Sequence, residues 1–568
     1  MKLKILFMLF LGFGVLSTPI HAANNLVAFQ GGGFRAMTAH SAFMAATLKY
    51  RRQSSPGAGF YDVLNGADVL SGNSGGTWFL SCLSYSPDFV SSLEDYENFF
   101  KPKGYMGLVG NSYINYLTSK KAKNSAVHNA LLTQLINQLP KTDEMTEMLT
   151  HLVSAPTLNW QDMLSNTVFA PFGVADQLKA INLYDSIAHR TQSVASQPLV
   201  FQVAVSTNDA GIGRYNTLNE TTASISNVGT NKFTPASITS LANDASGIYA
   251  PSLPTQGTDS ALKVQYSSTR VPPGSKATPS NVELPNISFR GFSVFGATAT
   301  SSAAAGLLDS GGALSSHPIV KKAPALLVNN LINLFQEAAI PANVKQDGST
   351  TVLQEYQGSI GNSTPALLAN NPYLRLVDGG YVDNTSVTSG LTYLQNKNHL
   401  QDGYKVTLLA SDTRPAVTSD STQLLKLHPN FKFLPTDVRG LFVGGNTQQI
   451  RSGFDLKHPS QSIFEYVSGI DAPIWEYSGL NGKKPFHIRY YSLKVRTASN
   501  NTYGLSPGIE GTFEVWSVQN AVNTAPLPVA STLGWGQYPL YFNKIMTSLE
   551  VKKRGQSGVE LFMKSISN

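Results

Sequence analysis

The sequence predicts an α/β protein built on a mainly parallel sheet. Three observations carry that reading. Two glycine-rich stretches, Gly31-Gly32-Gly33-Phe34-Arg35-Ala36-Met37 and Gly72-Asn73-Ser74-Gly75-Gly76-Thr77-Trp78, each lie between a short apolar run and a helical pattern. A third stretch, Asp378-Gly379-Gly380-Tyr381-Val382-Asp383-Asn384, has the same setting. Strands that alternate with helices form parallel sheets, and ligands gather at the carboxyl ends of those strands.

Taken in order, Leu26-Val27-Ala28-Phe29 is short and continuously apolar, as a buried strand is. Phe34 to Tyr50 contains no Gly or Pro and carries Met37, Ala42, Phe43, Met44, Ala46 and Leu48, so it predicts a helix. Ala67 to Leu70 predicts a second strand and Thr77 to Leu83 the helix after it. Leu199 to Val205 predicts a small strand. Residues 205–320 are rich in Ser, Thr, Asn, Gly and Pro, which suits an insertion. A lid-like region over about 205–365 is expected within one interrupted catalytic domain, 23–568. Ala323 to Ala339 places Leu326, Leu327, Leu331, Leu334 and Phe335 on one stripe of a helix. Tyr373 to Val377 predicts a strand, Ser386 to Gln395 a helix, Tyr404 to Ala410 another strand, and Phe486 to Leu493 one more.

The first residues are basic, an apolar run follows from Ile5 to Leu16, and Ala22 and Ala23 come at its exit. That pattern predicts a cleaved secretory signal over 1–22 and a secreted or periplasmic mature chain. Cys82 is the only cysteine, so no intramolecular disulfide can form and the fold must rest on its core. Lys and Arg number 42 against 35 Asp and Glu, a net charge of +7 that mildly favours anionic surfaces. Dense basic blocks interleaved with aromatics are missing, so no nucleic-acid partner is expected.

The chemistry resides in the three glycine stretches. Gly72 to Gly76 satisfies G-x-S-x-G, the pattern of a serine held on a sharp strand-to-helix turn. A serine hydroxyl needs a base and a site for the oxyanion. The Gly31-Gly32-Gly33 run can aim bare N–H groups at an anion. Asp378 falls just past a strand, as Ser74 does. A Ser-Asp-His triad would draw its histidine from His399, His428, His458 or His487, none of which lies in a loop signature.

Together, GGGFRAM, GNSGGTW and VDGGYVDN resemble the motifs of the patatin, cytosolic phospholipase A and phospholipase B superfamily. The resemblance implies a three-layer patatin-like α/β fold with a mainly parallel sheet and an inserted lid. It implies a Ser-Asp dyad in place of a triad: Ser74 as nucleophile and Asp378 as general base. Gly32 and Gly33 become oxyanion donors, with Gly31 and Gly75 shaping the turns. Arg35 would neutralise a substrate phosphate or steady the oxyanion loop. Asp309, in Leu308-Asp309-Ser310-Gly311-Gly312, is a rival aspartate, but it follows a poor strand. The implied activity is hydrolysis of phospholipid or lysophospholipid esters, with transient contact to a membrane surface and no metal or other cofactor. A general lipase, esterase or acyltransferase of the same fold is the alternative, and a catalytically silent lipid-binding protein a second. The sequence leaves the oligomeric state open.

Overall fold

The computed structural model describes residues 24–98, 104, 164–181, 189–191, 194, 197–207, 232–240, 248–249, 266–267, 281–282, 287–288, 294–302, 339–341, 345–347, 350–352, 373–381, 383–396, 400–412, 431, 434–443, 462–469, 472–482, 484–498, 505–520 and 538–567. Residues 1–23, Asp309, residues 323–338, His399, His428 and His458 lie outside that set.

The apolar run after Asn24 forms β1 (Asn25–Phe29), and every residue of it is buried. Its side chains alternate between two cores. Val27 and Phe29 enter one, and Leu26 and Ala28 enter the other. A strand buried on both faces is continuously apolar, which is what the sequence displays.

Ten further strands are β2 (Val69–Gly72), β3 (Leu199–Thr207), β4 (Lys232–Ser240), β5 (Ala339–Pro341), β6 (Tyr373–Asp378), β7 (Tyr404–Asp412), β8 (Phe464–Gly469), β9 (Trp475–Asn481), β10 (Lys484–Thr497) and β11 (Glu510–Asn520). With a two-residue strand, Ile248–Tyr249, they make one twelve-stranded sheet among the described residues. Its order is β8-β10-β11-β7-β1-β2-β3-β6-β5, with β9 on β10, β4 on β3 and Ile248–Tyr249 on β4. The middle, β11-β7-β1-β2-β3, is parallel. Both flanks are antiparallel.

Helices cover both faces. On one side lie α1 (Gly33–Ser54) and α2 (Gly75–Tyr85), which bury Met37, Phe43, Phe79 and Leu80. The same face takes α3 (Val294–Ser301), and the other face takes α4 (Val387–Asn396) and α5 (Thr436–Val443), which bury Val387, Leu391, Val438 and Phe442. The C-terminal helices α6 (Tyr538–Leu549) and α7 (Gly558–Ile566) return to the first face beside α1, where Tyr541 and Phe562 join its core. The architecture is therefore three layers, helix on sheet on helix.

One detail departs from the sequence reading: Ala339 opens a strand instead of closing a helix. Within 205–365, β4 lines β3 along its whole length, and α3 is buried throughout. The strand β6 runs antiparallel to β3. Its orientation assembles the site. One edge of β3 is filled by β4 from Leu199 to Thr207. The other edge is shared: β2 ends at Gly72 opposite Phe201, and β6 arrives from the opposite direction and ends at Asp378 opposite Val203. The carboxyl ends of β2 and β6 meet end to end.

Candidate active site

Ser74 sits on the turn between β2 and α2 with φ 49° and ψ −122°, a conformation that L residues avoid. Holding a non-glycine residue there costs roughly 1–3 kcal/mol, and the surroundings enforce it. The Ser74 N–H donates to the Ser301 carbonyl oxygen at 3.1 Å, so the end of α3 grips the turn from outside. The Ser74 carbonyl receives the Thr77 hydroxyl at 2.6 Å. Neighbouring glycines permit the packing. A Cβ on Gly75 would lie 2.1 Å from the Gly33 carbonyl oxygen, and one on Gly76 would lie 2.2 Å from that of Phe29. The turn therefore rests backbone on backbone against the glycine loop.

That loop leaves β1 at Gln30 and enters α1 at Gly33. Gly32 (φ +142°) and Gly33 (φ +57°) both adopt left-handed values that favour glycine. Among the described residues neither the Gly32 nor the Gly33 N–H has a partner. Gly33 is the first residue of α1, and that first turn carries no acidic side chain. A helix start with open N–H groups favours an anion. Gly31 is the close-approach position: a Cβ there would meet Asn384 Oδ1 at 2.3 Å and Ser74 Cβ at 3.0 Å.

Asp378, at the end of β6, is 5% exposed, and Ser74 is 8% exposed. The Ser74 hydroxyl lies near enough to the Asp378 carboxylate to favour its ionised form. The carboxylate accepts from the Gly380 N–H at 2.7 Å and from Asn73 Nδ2 at 3.1 Å. Burial pushes its pKa up from 3.8 to about 6, and these three groups hold it from rising further. The result is a carboxylate basic enough to take a proton and still ionised near neutral pH. Asp383 is a different case. Burial raises it too, but its oxygens are consumed by the backbone and hydroxyls of Thr385, just before α4, and Thr388, in its first turn.

Arg35 is 2% exposed and turned away from solvent. Its Nη2 donates to the Ser411 carbonyl oxygen at 2.9 Å and its Nε to the Ser411 hydroxyl at 3.2 Å, tying α1 to the end of β7. Its guanidinium lies directly under Gly32, where a Cβ would be 3.0 Å from Nη2.

Of the histidines proposed for a triad, His487 is described. It lies on β10, four strands from β2, roughly 19 Å away at 4.7–4.9 Å per strand. It pairs with Ser478 at 2.9 Å and cannot reach Ser74. A histidine the sequence reading passed over, His40, is buried between Phe29 and Phe79 and bonds the Gln30 carbonyl through Nε2 at 2.9 Å. Burial lowers its pKa to about 4, so it is neutral.

The sequence reading also passed over the polar residues that bind the three motifs together. Asn73 is the variable position inside G-x-S-x-G, and Asn384 closes VDGGYVDN. They bond each other at 2.9 Å, and the Asn384 carbonyl holds the Gly31 N–H at 2.9 Å. Their places inside the motifs were the available signal. Ser301 and Asp437 carried none.

The family described as lysophospholipase catalytic domain matches residues 26–145, which take in β1, the glycine loop, β2 and the serine turn. No protein of curated function matches the chain. Among solved structures, human GIVD cytosolic phospholipase A2 aligns at 14% identity and a TM-score of 0.29, over 75% of this chain and 49% of that one. The chain thus spans about half the length of that structure. The lysophospholipase catalytic-domain match over residues 26–145 supports the resemblance of this chain to the patatin, cytosolic phospholipase A and phospholipase B superfamily.

Proposed function

We propose that the chain is a serine acyl hydrolase that cleaves carboxylic esters of phospholipids or lysophospholipids through a Ser74–Asp378 dyad. The observation that carries this reading is the buried Asp378 carboxylate, held at 3.1 Å by Asn73, the residue before the buried Ser74, beside the open Gly32 and Gly33 N–H groups. Ser74 Oγ attacks the ester carbonyl carbon while Asp378 takes its proton. The carbonyl oxygen becomes an oxyanion and accepts from Gly32 and Gly33. Collapse expels the alcohol, which leaves with the proton from Asp378, and the acyl group stays on Ser74. Water then attacks the acyl-serine as Asp378 accepts its proton. The fatty acid departs and Ser74 is reprotonated. Burial near the dyad strengthens these charge interactions.

Arg35 acts here by steadying the loop from beneath. Its engagement with Ser411 also favours one second reading, a general lipase or esterase, because the guanidinium is not presented to a phosphate. The N-terminal pattern supports export, and the excess of positive charge supports brief contact with anionic lipid surfaces.

Mass spectrometry of products from vesicles of mixed phospholipid and lysophospholipid tests the reading. Fatty acid and lysolipid or glycerophosphodiester should accumulate with the wild type and not with Ser74→Ala. Turnover of a neutral short-chain ester with none of either lipid would select the general esterase. Retained turnover in Ser74→Ala would end the nucleophile assignment.

A further inference from the structure

A chain of buried side chains leads from Asp378 to a second carboxylate that the proposed chemistry does not use. Asp437, in the first turn of α5, is 4% exposed. Its Oδ2 accepts from Asn384 Nδ2 at 2.8 Å and from Gln30 Nε2. Asn384 Oδ1 accepts from Asn73 Nδ2 at 2.9 Å, and the same Asn73 Nδ2 donates to Asp378 Oδ1 at 3.1 Å. Gln30 is pinned at its other end, where Oε1 accepts the Ser411 N–H at 2.6 Å.

A primary amide has one donor end and one acceptor end, whereas a carboxylate only accepts. With Asp437 at one end, Asn384 must turn its NH2 toward Asp437 and its oxygen toward Asn73. Asn73 must answer with its NH2, and that group is then also presented to Asp378. Reversing either amide would set oxygen against oxygen or NH2 against NH2 in a buried site, where an unmatched polar group is costly.

We propose that Asp437 is a positioning residue: it fixes the orientation of the Asn384 and Asn73 amides and so keeps a hydrogen-bond donor on Asp378. Asn384 gives the arrangement a second output, since its backbone carbonyl holds Gly31 at the root of the glycine loop. Asp437 thereby couples the base, the serine turn and the oxyanion loop from the far side of the sheet. The inference rests on the assignment of Ser74 and Asp378 as nucleophile and base.

The groups acting on Asp378 are the Gly380 N–H, the Asn73 amide and the Ser74 hydroxyl, all neutral. From the elements packed around it, β3 contributes Gln202 against Gly379 and α3 contributes Ser301 against Ser74, both neutral as well. Asp383 in the same loop is engaged by Thr385 and Thr388, and Arg35 and His40 on α1 turn to Ser411 and Gln30. Donation from Asn73 favours the ionised form of Asp378, so its loss makes the base harder to ionise and moves the acidic limb of reactivity to higher pH.

The test is the pH dependence of fluorophosphonate labelling at Ser74 in the full chain, measured for the wild type, Asp437→Ala, Asp437→Asn and Asn384→Ala. The wild-type rate should rise through about pH 6. In Asp437→Ala the limb should lie about one pH unit higher and the plateau should fall about tenfold. Asp437→Asn retains an acceptor oxygen and should fall between the two. Asn384→Ala breaks the same chain in the middle and should reproduce Asp437→Ala. A folded Asp437→Ala protein with the wild-type profile overturns the proposal. If that variant does not fold, a wild-type profile in Asn384→Ala overturns it equally. Failure of the wild type to label at Ser74 is a different result, which rejects the nucleophile assignment itself and this proposal with it.

Discussion

Asp378 is held where its charge is disfavoured, and that has a stability consequence apart from catalysis. In the folded chain the carboxyl keeps its proton up to about pH 6, against 3.8 when exposed. The native state therefore binds more protons than the unfolded chain between those values, and stability falls as pH rises through them. Asp378→Asn removes this loss. It should cost activity about 10²–10⁴-fold, yet melt higher than the wild type at pH values above about 6. The difference amounts to at most about 3 kcal/mol and should vanish once both forms are protonated in acid. Thermal melts of both proteins across that range check it, and a lower Tm for Asp378→Asn at alkaline pH would contradict the burial argument. At this scale the sequence revealed the residues that carry a motif. Ser74, Asp378 and the glycines stand in patterns whose spacing has a mechanical reason. Ser301 and Asp437 stand in none, because what matters about them is which backbone or amide they touch across the fold.

At the scale of elements, the serine turn and the glycine loop are one packed unit. The Gly76 position faces the Phe29 carbonyl so closely that a methyl group cannot enter without moving β1 or α2. Gly76→Ala should destabilise the protein by at least about 1–3 kcal/mol and abolish labelling of Ser74. Gly57→Ala is the matched control, since nothing lies within 4 Å of the added carbon. Urea melts of the two variants compare them directly, and equal midpoints would mean that the turn is looser than described. Elements of this kind were legible. The continuous apolar run of β1 and the Gly-free stretch of α1 have local causes, and the observed helix, Gly33–Ser54, contains the predicted one. The serine helix likewise extends the predicted Thr77–Leu83 to Gly75–Tyr85. Local patterns do not reveal strand partners. The sequence of β6 reads the same whether it lies parallel or antiparallel to β3.

For the whole molecule, that orientation is decisive. A parallel β6 would give Asp378 and Ser74 adjacent strand ends, whereas the antiparallel one gives them opposed ends on a single edge of β3. The register of that edge, with Gly72 at Phe201 and Asp378 at Val203, brings the serine turn and the aspartate loop together across more than three hundred residues of chain. The same nonlocality explains why α3, in a stretch that composition marks as an insertion, is buried against the serine turn. The account therefore depends on Ser74 being reactive and on Asp378 making it so. The measurement that tests this most directly is peptide mapping of a fluorophosphonate adduct formed near neutral pH on the wild type and on Asp378→Asn. The account predicts a single adduct on the peptide carrying Ser74 in the wild type and its near-complete loss in folded Asp378→Asn. An adduct on another serine, or undiminished labelling of Ser74 without the carboxylate, would contradict it.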